Sequence, residues 1–290
     1  MKKLLLFLAL FFISFAHGQE IKLNGTTSAE NNQIKNIADP TDAQDAATKA
    51  YIDALITSLQ SQIDALQPTS VTDQDGNTYD YLTYGNQVWT VENAEMVTYI
   101  DGTPIPQVTD NTEWRNLTTG AWSYYNNDPT KPRLYNWYAV MGIYDSASFS
   151  DATLRKEFAP EGWHVPSDAE WTTLEEYLIA SDYNYDGTTT GNKIAKAMAS
   201  TTGWISSTET GAIGNDQSLN NYSGFNAFPE GNRYSNGSFY IEGYNAVFWS
   251  STEYNANNAW SRYLFNDNSY LIRNGYNSKR FGFSVRFVRD

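Results

Sequence analysis

The 290 residues predict an α+β protein with irregular loops, preceded by a short helical stalk. Three observations carry that reading. Short β-patterned runs alternate with turn signals through most of the chain, and one strongly signalled helix follows Pro166. The chain also lacks the regular strand–helix alternation that a parallel sheet requires.

The elements follow in order. Lys2 and Lys3 precede an apolar run from Leu4 to Phe15, and the small residues Ala16 and Gly18 flank His17. This is the three-part pattern of a secretory signal peptide over residues 1–18. The run is shorter than the ~20 apolar residues a bilayer span needs, so no membrane span is expected after cleavage. Residues 19–67 contain one aromatic residue, Tyr51, whereas all nine tryptophans lie from Trp89 to Trp260. A slender segment therefore leads into an aromatic-rich head. Within the slender part, Ile52, Ile56, Leu59, Ile63 and Leu66 are spaced four, three, four and three, giving about two heptads of a coiled-coil seam that Pro68 ends.

In the head, Val71 and the alternating Tyr79, Tyr81 and Thr83 flank the turn residues Asp75, Gly76 and Asn77, which predicts a hairpin. Gly85-Asn86 makes a second turn before a strand over Val88–Val91. Asp73, Asp75 and Asn77 have calcium-chelating side chains, but turn chemistry accounts for them. Ser167, with Glu170 three residues later, forms a capping box, and Asp168 and Glu170 suit the positive end of the helix dipole. Trp171, Leu174 and Leu178 form the buried face of that helix, leaving Glu175 and Glu176 toward water. His164 is the one histidine left after signal cleavage, and it is expected to be packed and hydrogen-bonded to backbone. A second helix is expected over Asn192–Ala199. Strands are expected over Ala246–Ser250, Ala259–Phe265, Tyr270–Arg273 and Gly282–Val288.

The runs VTDQDGNTYDYLTYGNQVWTVENAEM, RLYNWYAV, GWHVPSDAEW, GFNAFPEGNR, FWSSTE, AWSRYL and GFSVRFVRD, in that order from Val71 to Asp290, resemble the Fibrobacter succinogenes major paralogous domain. The resemblance implies a head similar to C-type lectin folds over residues 71–290. GWHVPSDAEW is also similar to a stretch of formylglycine-generating enzymes. Those enzymes depend on cysteine and this chain has none, so their activity is not implied. Where family members often carry cysteine, this sequence has Phe287, expected to be an apolar core residue. In the slender segment, NQIKNIADPTDAQDAATKAYID resembles sequences preceding trimeric stalks of phage tail fibres and bacterial surface proteins. That resemblance implies a homo-oligomer, with a trimer preferred.

Charge and cysteine content narrow the function. A net charge of −14, more negative still without Lys2 and Lys3, argues against nucleic acid and anionic membrane surfaces as partners. No cysteine means no disulfide, thiolate zinc site or cysteine nucleophile. The ligand candidates lie in the final third: Trp249, Glu253, Tyr254, Asn255, Asn257, Asn258, Trp260, Arg262, Asn266 and Asp267. Aromatic faces stack on sugar rings, and Asn, Glu and Arg side chains pair with vicinal hydroxyls. The same residues also read as core and turn formers. Asp182, Asn184 and Asp186 match the first half of a calcium loop, with Lys193 where the bidentate glutamate belongs. No other cofactor is expected. The combined expectation is a non-enzymatic adhesion protein, secreted to the cell surface, the medium or the periplasm, whose partner is a glycan or an envelope protein. The alternatives are a glycan hydrolase, which needs two carboxylates across a cleft, and a purely structural surface subunit.

Overall fold

The structure is a computed structural model that describes the backbone of residues 49–66 and all of residues 69–290, with helix side chains given from Ala50 to Leu59. The signal peptide and the extended part of the slender segment lie outside the described residues, as do the side chains of Ile63 and Leu66. The chain divides into two units, residues 1–67 and 68–290.

In the first unit, helix α1 (Lys49–Leu66) forms where the heptad spacing places it. Ile52, Leu55, Ile56 and Leu59 are each more than 40% exposed. Among the described residues, no helix is long and apolar enough to cross a membrane.

The second unit is α+β. Strands β1 (Ser70–Thr72), β2 (Thr78–Tyr84) and β3 (Gln87–Thr90) form consecutive antiparallel hairpins. The first turn is built on Asp73, which accepts hydrogen bonds from the Asp75 and Asn77 amides and from the Tyr79 hydroxyl. These bonds are what the hairpin reading of Asp73, Asp75 and Asn77 requires. A short helix α2 (Asn111–Arg115), the pair β4 (Trp122–Tyr124) and β5 (Arg133–Tyr135), and helices α3 (Trp137–Val140) and α4 (Ser146–Ser150) lead to β6 (Trp163–His164). Helix α5 (Asp168–Ala180) follows, with both halves of the capping box made. The Ser167 hydroxyl oxygen accepts from the Glu170 amide at 3.2 Å, and a Glu170 carboxylate oxygen accepts from the Ser167 amide at 2.7 Å.

Helix α6 spans Ala195–Met198 only, shorter than the predicted Asn192–Ala199. Asn192 is held outside it, because its side-chain amide bonds both the carbonyl and the amide of Leu271. Strands β7 (Asn232–Arg233) and β8 (Phe239–Tyr240) form a small hairpin. Then β9 (Asn245–Asn255), β10 (Asn258–Phe265) and β11 (Ile272–Ser278) make an antiparallel sheet with β10 in the middle. The last strand of that sheet begins and ends later than Tyr270–Arg273. The predicted strand Gly282–Val288 is mostly a core-threading segment. Gly282, Phe283 and Ser284 make single bridges to Arg233, Tyr135 and Phe248, and only β12 (Val288–Arg289) joins a ladder. It completes the five-stranded order β1-β2-β3-β12-β6.

Two large apolar clusters and a small one at Val108, Trp114 and Ala121 fill the head. Of the large two, one centres on Trp249, Phe283 and Phe287, and the other on Trp89, Trp171, Phe225 and Phe248. Ring centroids 4.8 Å apart for Trp89–Trp171 and 4.3 Å for Trp249–Phe283 show close aromatic packing. Phe287 is fully buried, as an apolar replacement should be.

Arg233, Arg262 and Arg286 are also fully buried. A buried guanidinium is tolerable only when its donors are met. Arg286 donates to Asn93 Oδ1 at 2.6 Å and to the Thr90 and Asn226 carbonyls at 3.2 Å, and lies 4.8 Å from the Phe225 ring. Burial pulls its pKa down to about 10, against the opposing charge of Glu230. Although Glu230 as a whole is half-buried, its carboxyl is enclosed. Burial pushes it up to about 7, against hydrogen bonds from Ser284 and Asn93 and the charge of Arg286.

A carboxyl raised in the folded state holds a proton that the unfolded chain releases near pH 4.5. Stability therefore falls as pH rises from about 4.5 to about 7 and then levels. Glu230→Gln should remove that fall. Thermal unfolding followed by circular dichroism should show the variant more stable than the parent at about pH 8, with the difference shrinking toward pH 4.5.

Candidate functional site

The ten ligand candidates in the final third separate into three groups. Trp249 is fully buried, and its indole N–H donates to the Tyr135 carbonyl at 2.8 Å, so it belongs to the core. Arg262 is fully buried as well, and Asn266 is 8% exposed with its side-chain amide on the Ile205 carbonyl. None of these three faces a ligand. Trp249 and Arg262 lie where β9 and β10 are buried on both faces, between the two large apolar clusters. Asn255, Asn257 and Asn258 form the β9–β10 turn, where Asn255 Oδ1 accepts from the Asn257 and Asn258 amides at 2.9 and 3.0 Å. Glu253 is ion-paired with Lys279, and Asp267 is exposed on the loop after β10.

Tyr254 and Trp260 remain, and the fold brings two further residues to them. The register shifts between Ala259 and Ser261 against both neighbouring strands, which leaves extra residues of β9 and β11 opposite Trp260 and bends those two strands around it. The Tyr254 ring lies edge-on to Trp260 at 4.9 Å and to Tyr276 at 5.0 Å. Tyr254 packs onto Gly275, where a Cβ would come within 2.5 Å of its ring, so only glycine allows this contact. Tyr276 is 75% exposed. The Arg273 guanidinium sits 3.6 Å from the Trp260 ring centroid. Tyr254, Trp260, Tyr276 and Arg273 thus form an aromatic face across the rigid β9–β10–β11 sheet. Tyr276 and Arg273 escaped sequence reasoning because Asn274-Gly275 reads as a loop. The usable signal was that an aromatic lying beyond a glycine, within reach of a hairpin tryptophan, continues a ladder.

Asp168 anchors the face from beneath. Its carboxylate accepts from Arg273 Nη2 at 2.6 Å and Nε at 2.9 Å, and from Arg262 Nη1 at 2.7 Å. Arg262 also pairs with Glu175, so Glu175 turns inward rather than to water; only Glu176 is exposed. Burial raises the Asp168 carboxyl, but the hydrogen bonds from Arg273 and Arg262 outweigh it and hold the pKa below the usual 3.8. For Glu175 burial wins over Arg262, and its pKa is raised. The Asp168 contribution is present above the ordinary carboxylate pKa and is lost as acid protonates it.

His164 is not bonded to backbone as expected. Its Nε2 lies 2.7 Å from Glu170 Oε1 and its Nδ1 2.5 Å from Asp290 Oδ1. The capping box uses one oxygen of Glu170 and leaves the other for the imidazole. Burial would lower the His164 pKa, but these two carboxylates raise it. With both nitrogens engaged, the ring is held as a clamp at the wall of an open cleft of about 620 Å³ that Lys156 and Glu161 also line.

The calcium-loop residues are committed elsewhere. Asn184 is buried, accepts from the Lys193 amide at 2.9 Å and donates to the Thr188 and Gly191 carbonyls. Asp186 pairs with the Lys193 ammonium, and Asp182 is exposed. Lys193 supplies the positive charge that an ion would bring, and among the described residues no group of three metal-ligating side chains comes together.

Fold and surface together define an α+β head that presents an aromatic face. The family model for the Fibrobacter succinogenes major domain matches residues 82–289, and the chain belongs to that family. No curated protein and no solved structure matches it.

Removing one partner of a buried ion pair costs ~3–5 kcal/mol. Asp168→Asn should therefore lower the unfolding free energy by about 3 kcal/mol in urea denaturation, because Arg262 keeps only Glu175 as a charged partner. Arg273→Gln, at an exposed guanidinium, should cost less than about 1 kcal/mol.

Proposed function

We propose that this protein is a secreted or surface-exposed binding and adhesion protein that recognises carbohydrate, without turnover, through a C-type lectin-like head. The observation that carries this reading is the aromatic face of Tyr254, Trp260 and Tyr276, with Arg273 held beside it. A pyranose ring presents C–H groups to an aromatic face and hydroxyls to neighbouring polar groups, and the exposed rings of Tyr254 and Tyr276 leave that face accessible. Because the rings stand on a sheet braced by Asp168, little ordering is needed on binding.

The stalk supports the same reading. Ile52, Ile56 and Leu59 form an exposed seam on α1, and such a seam is stable in water when it meets copies of itself. We propose a homotrimer through this helix, which would turn weak single-site contacts into avid attachment.

The hydrolase alternative is favoured by one observation. Glu95 and Glu230 both line an open polar cleft of about 440 Å³. Burial raises the pKa of each carboxyl, as a general acid requires. Both are already engaged, Glu95 by Arg133 and Glu230 by Asn93 and Ser284. That engagement supports the binding reading over turnover.

A glycan array probed with the chain from residue 19 should give bound ligands that are recovered unchanged. Tyr254→Ala and Tyr276→Ala should each weaken binding about tenfold, equivalent to ~1.4 kcal/mol. Release of shortened glycan that stops in Glu230→Gln would instead establish the hydrolase. In sedimentation, residues 19–290 should form an oligomer and residues 68–290 a monomer. Two monomers would remove the avidity argument.

A further inference from the structure

A second concave site lies away from the hairpin face. The loop after α5, helix α6 and the loop over residues 210–222 enclose a pocket of about 390 Å³, within the range that holds small molecules. Tyr183, Tyr185, Tyr222 and Leu219 line it, and Asp182 and Asn215 supply polar groups. Tyr222 is 76% exposed and Leu219 64%, although both side chains are large and apolar-bodied. The Tyr183 and Tyr222 rings meet at 5.4 Å and 51°, making two walls of a corner. Tyr185 lies against Gly211, where a Cβ would come within 2.3 Å of its ring.

The backbone around this pocket is strained. Asp182, Asp216 and Asn221 all hold left-handed φ values of 62°, 46° and 63°. Strain of this kind persists only where the surroundings enforce it, and it concentrates at ligand sites.

The pocket's charge decides between possible guests. Lys196 sits at its wall, 7% exposed, with its ammonium donating to the Asn215 and Asp216 carbonyls and to Asn220 Oδ1. These acceptors use up the ammonium's three donors, and no carboxylate side chain hydrogen-bonds it. A buried ammonium beneath three tyrosines, hydrogen-bonded to carbonyl and amide oxygens only, disfavours a quaternary ammonium or another cation, the usual occupant of an aromatic cage. Phenolic hydroxyls, an amide and a carboxylate around an aromatic corner suit a ring that has a C–H face and a hydroxylated edge.

We propose that this pocket is a second carbohydrate subsite, which takes a single neutral or carboxylated pyranose ring against Tyr183, Tyr185 and Tyr222. The inference rests on the carbohydrate reading of the head, and its test separates the two. Titration calorimetry of residues 19–290 would use methyl glucoside, methyl galactoside, methyl mannoside, N-acetylglucosamine and glucuronic acid, with choline as the cationic control. At least one saccharide should bind with a dissociation constant of about a millimolar or tighter, and choline should give no heat. Tyr222→Ala, at an exposed side chain whose loss leaves the fold intact by circular dichroism, should weaken that saccharide at least tenfold, in the parent and in a Tyr254→Ala background alike. Binding that survives Tyr222→Ala and is lost in Tyr254→Ala overturns the pocket and leaves the hairpin reading standing. Heat from choline alone overturns it as well. No heat from any saccharide, together with an empty glycan array, overturns both readings.

Discussion

The carboxylate of Asp168 is the point through which helix, sheet and surface are joined. It begins α5, accepts from the fully buried Arg262 of β10, and accepts again from Arg273 of β11, which lies over Trp260. One short acid therefore fixes the orientation of α5 on the three-stranded sheet and sets the plane of the outer aromatic residues. Its energetic weight comes from its setting. Arg262 cannot reach water, so each acceptor it loses leaves a buried donor, whereas Arg273 can turn to solvent.

The same economy recurs through the head. Without cysteine there is no covalent staple, and long-range ties are made instead by buried guanidinium groups. Arg233 reaches the Thr109 carbonyl and stacks 4.1 Å from Trp114, while Arg286 connects the end of β3 at Thr90 with the loop at Asn226. Each gathers segments far apart in sequence around one planar donor set, and aromatic faces cover what carbonyls do not. This suits a protein with short strands and long irregular loops, because backbone carbonyls in loops need donors that ladders do not supply.

Much of this was legible in the residues. Asp75-Gly76-Asn77, Gly85-Asn86 and the Ser167–Glu170 pair announce their turns and cap by local chemistry, and local chemistry decides them. The position of Phe287 was legible too, since apolar residues flanked by β pattern have few other places to go. What was not legible depends on partners distant in sequence. Glu175 looks like a solvated helix residue until Arg262 arrives from 87 residues away. His164 meets Asp290 across 126 residues, and Asn192 is drawn out of its helix by Leu271. The ligand candidates show the same division. Composition pointed to the β9–β10 hairpin, but position along β9 decides that Trp249 is in the part buried on both faces and Tyr254 in the exposed end, and Arg273, which meets Trp260, comes from the next strand. The calcium-like loop shows a related effect: the residue at its twelfth position, Lys193, is a cation and folds back onto the loop's own Asp186.

The place of β12 has a consequence for how the head is made. Val288–Arg289 lies between β3 and β6, so the last strand of the head is an interior member of a sheet whose other strands come from the first half of the head. Until those residues leave the ribosome, β3 and β6 each present an unpaired edge and Phe287 is missing from the core. Such a chain cannot settle domain-part by domain-part as it emerges. Its completion is a single late closure, with the open edges exposed to association until then.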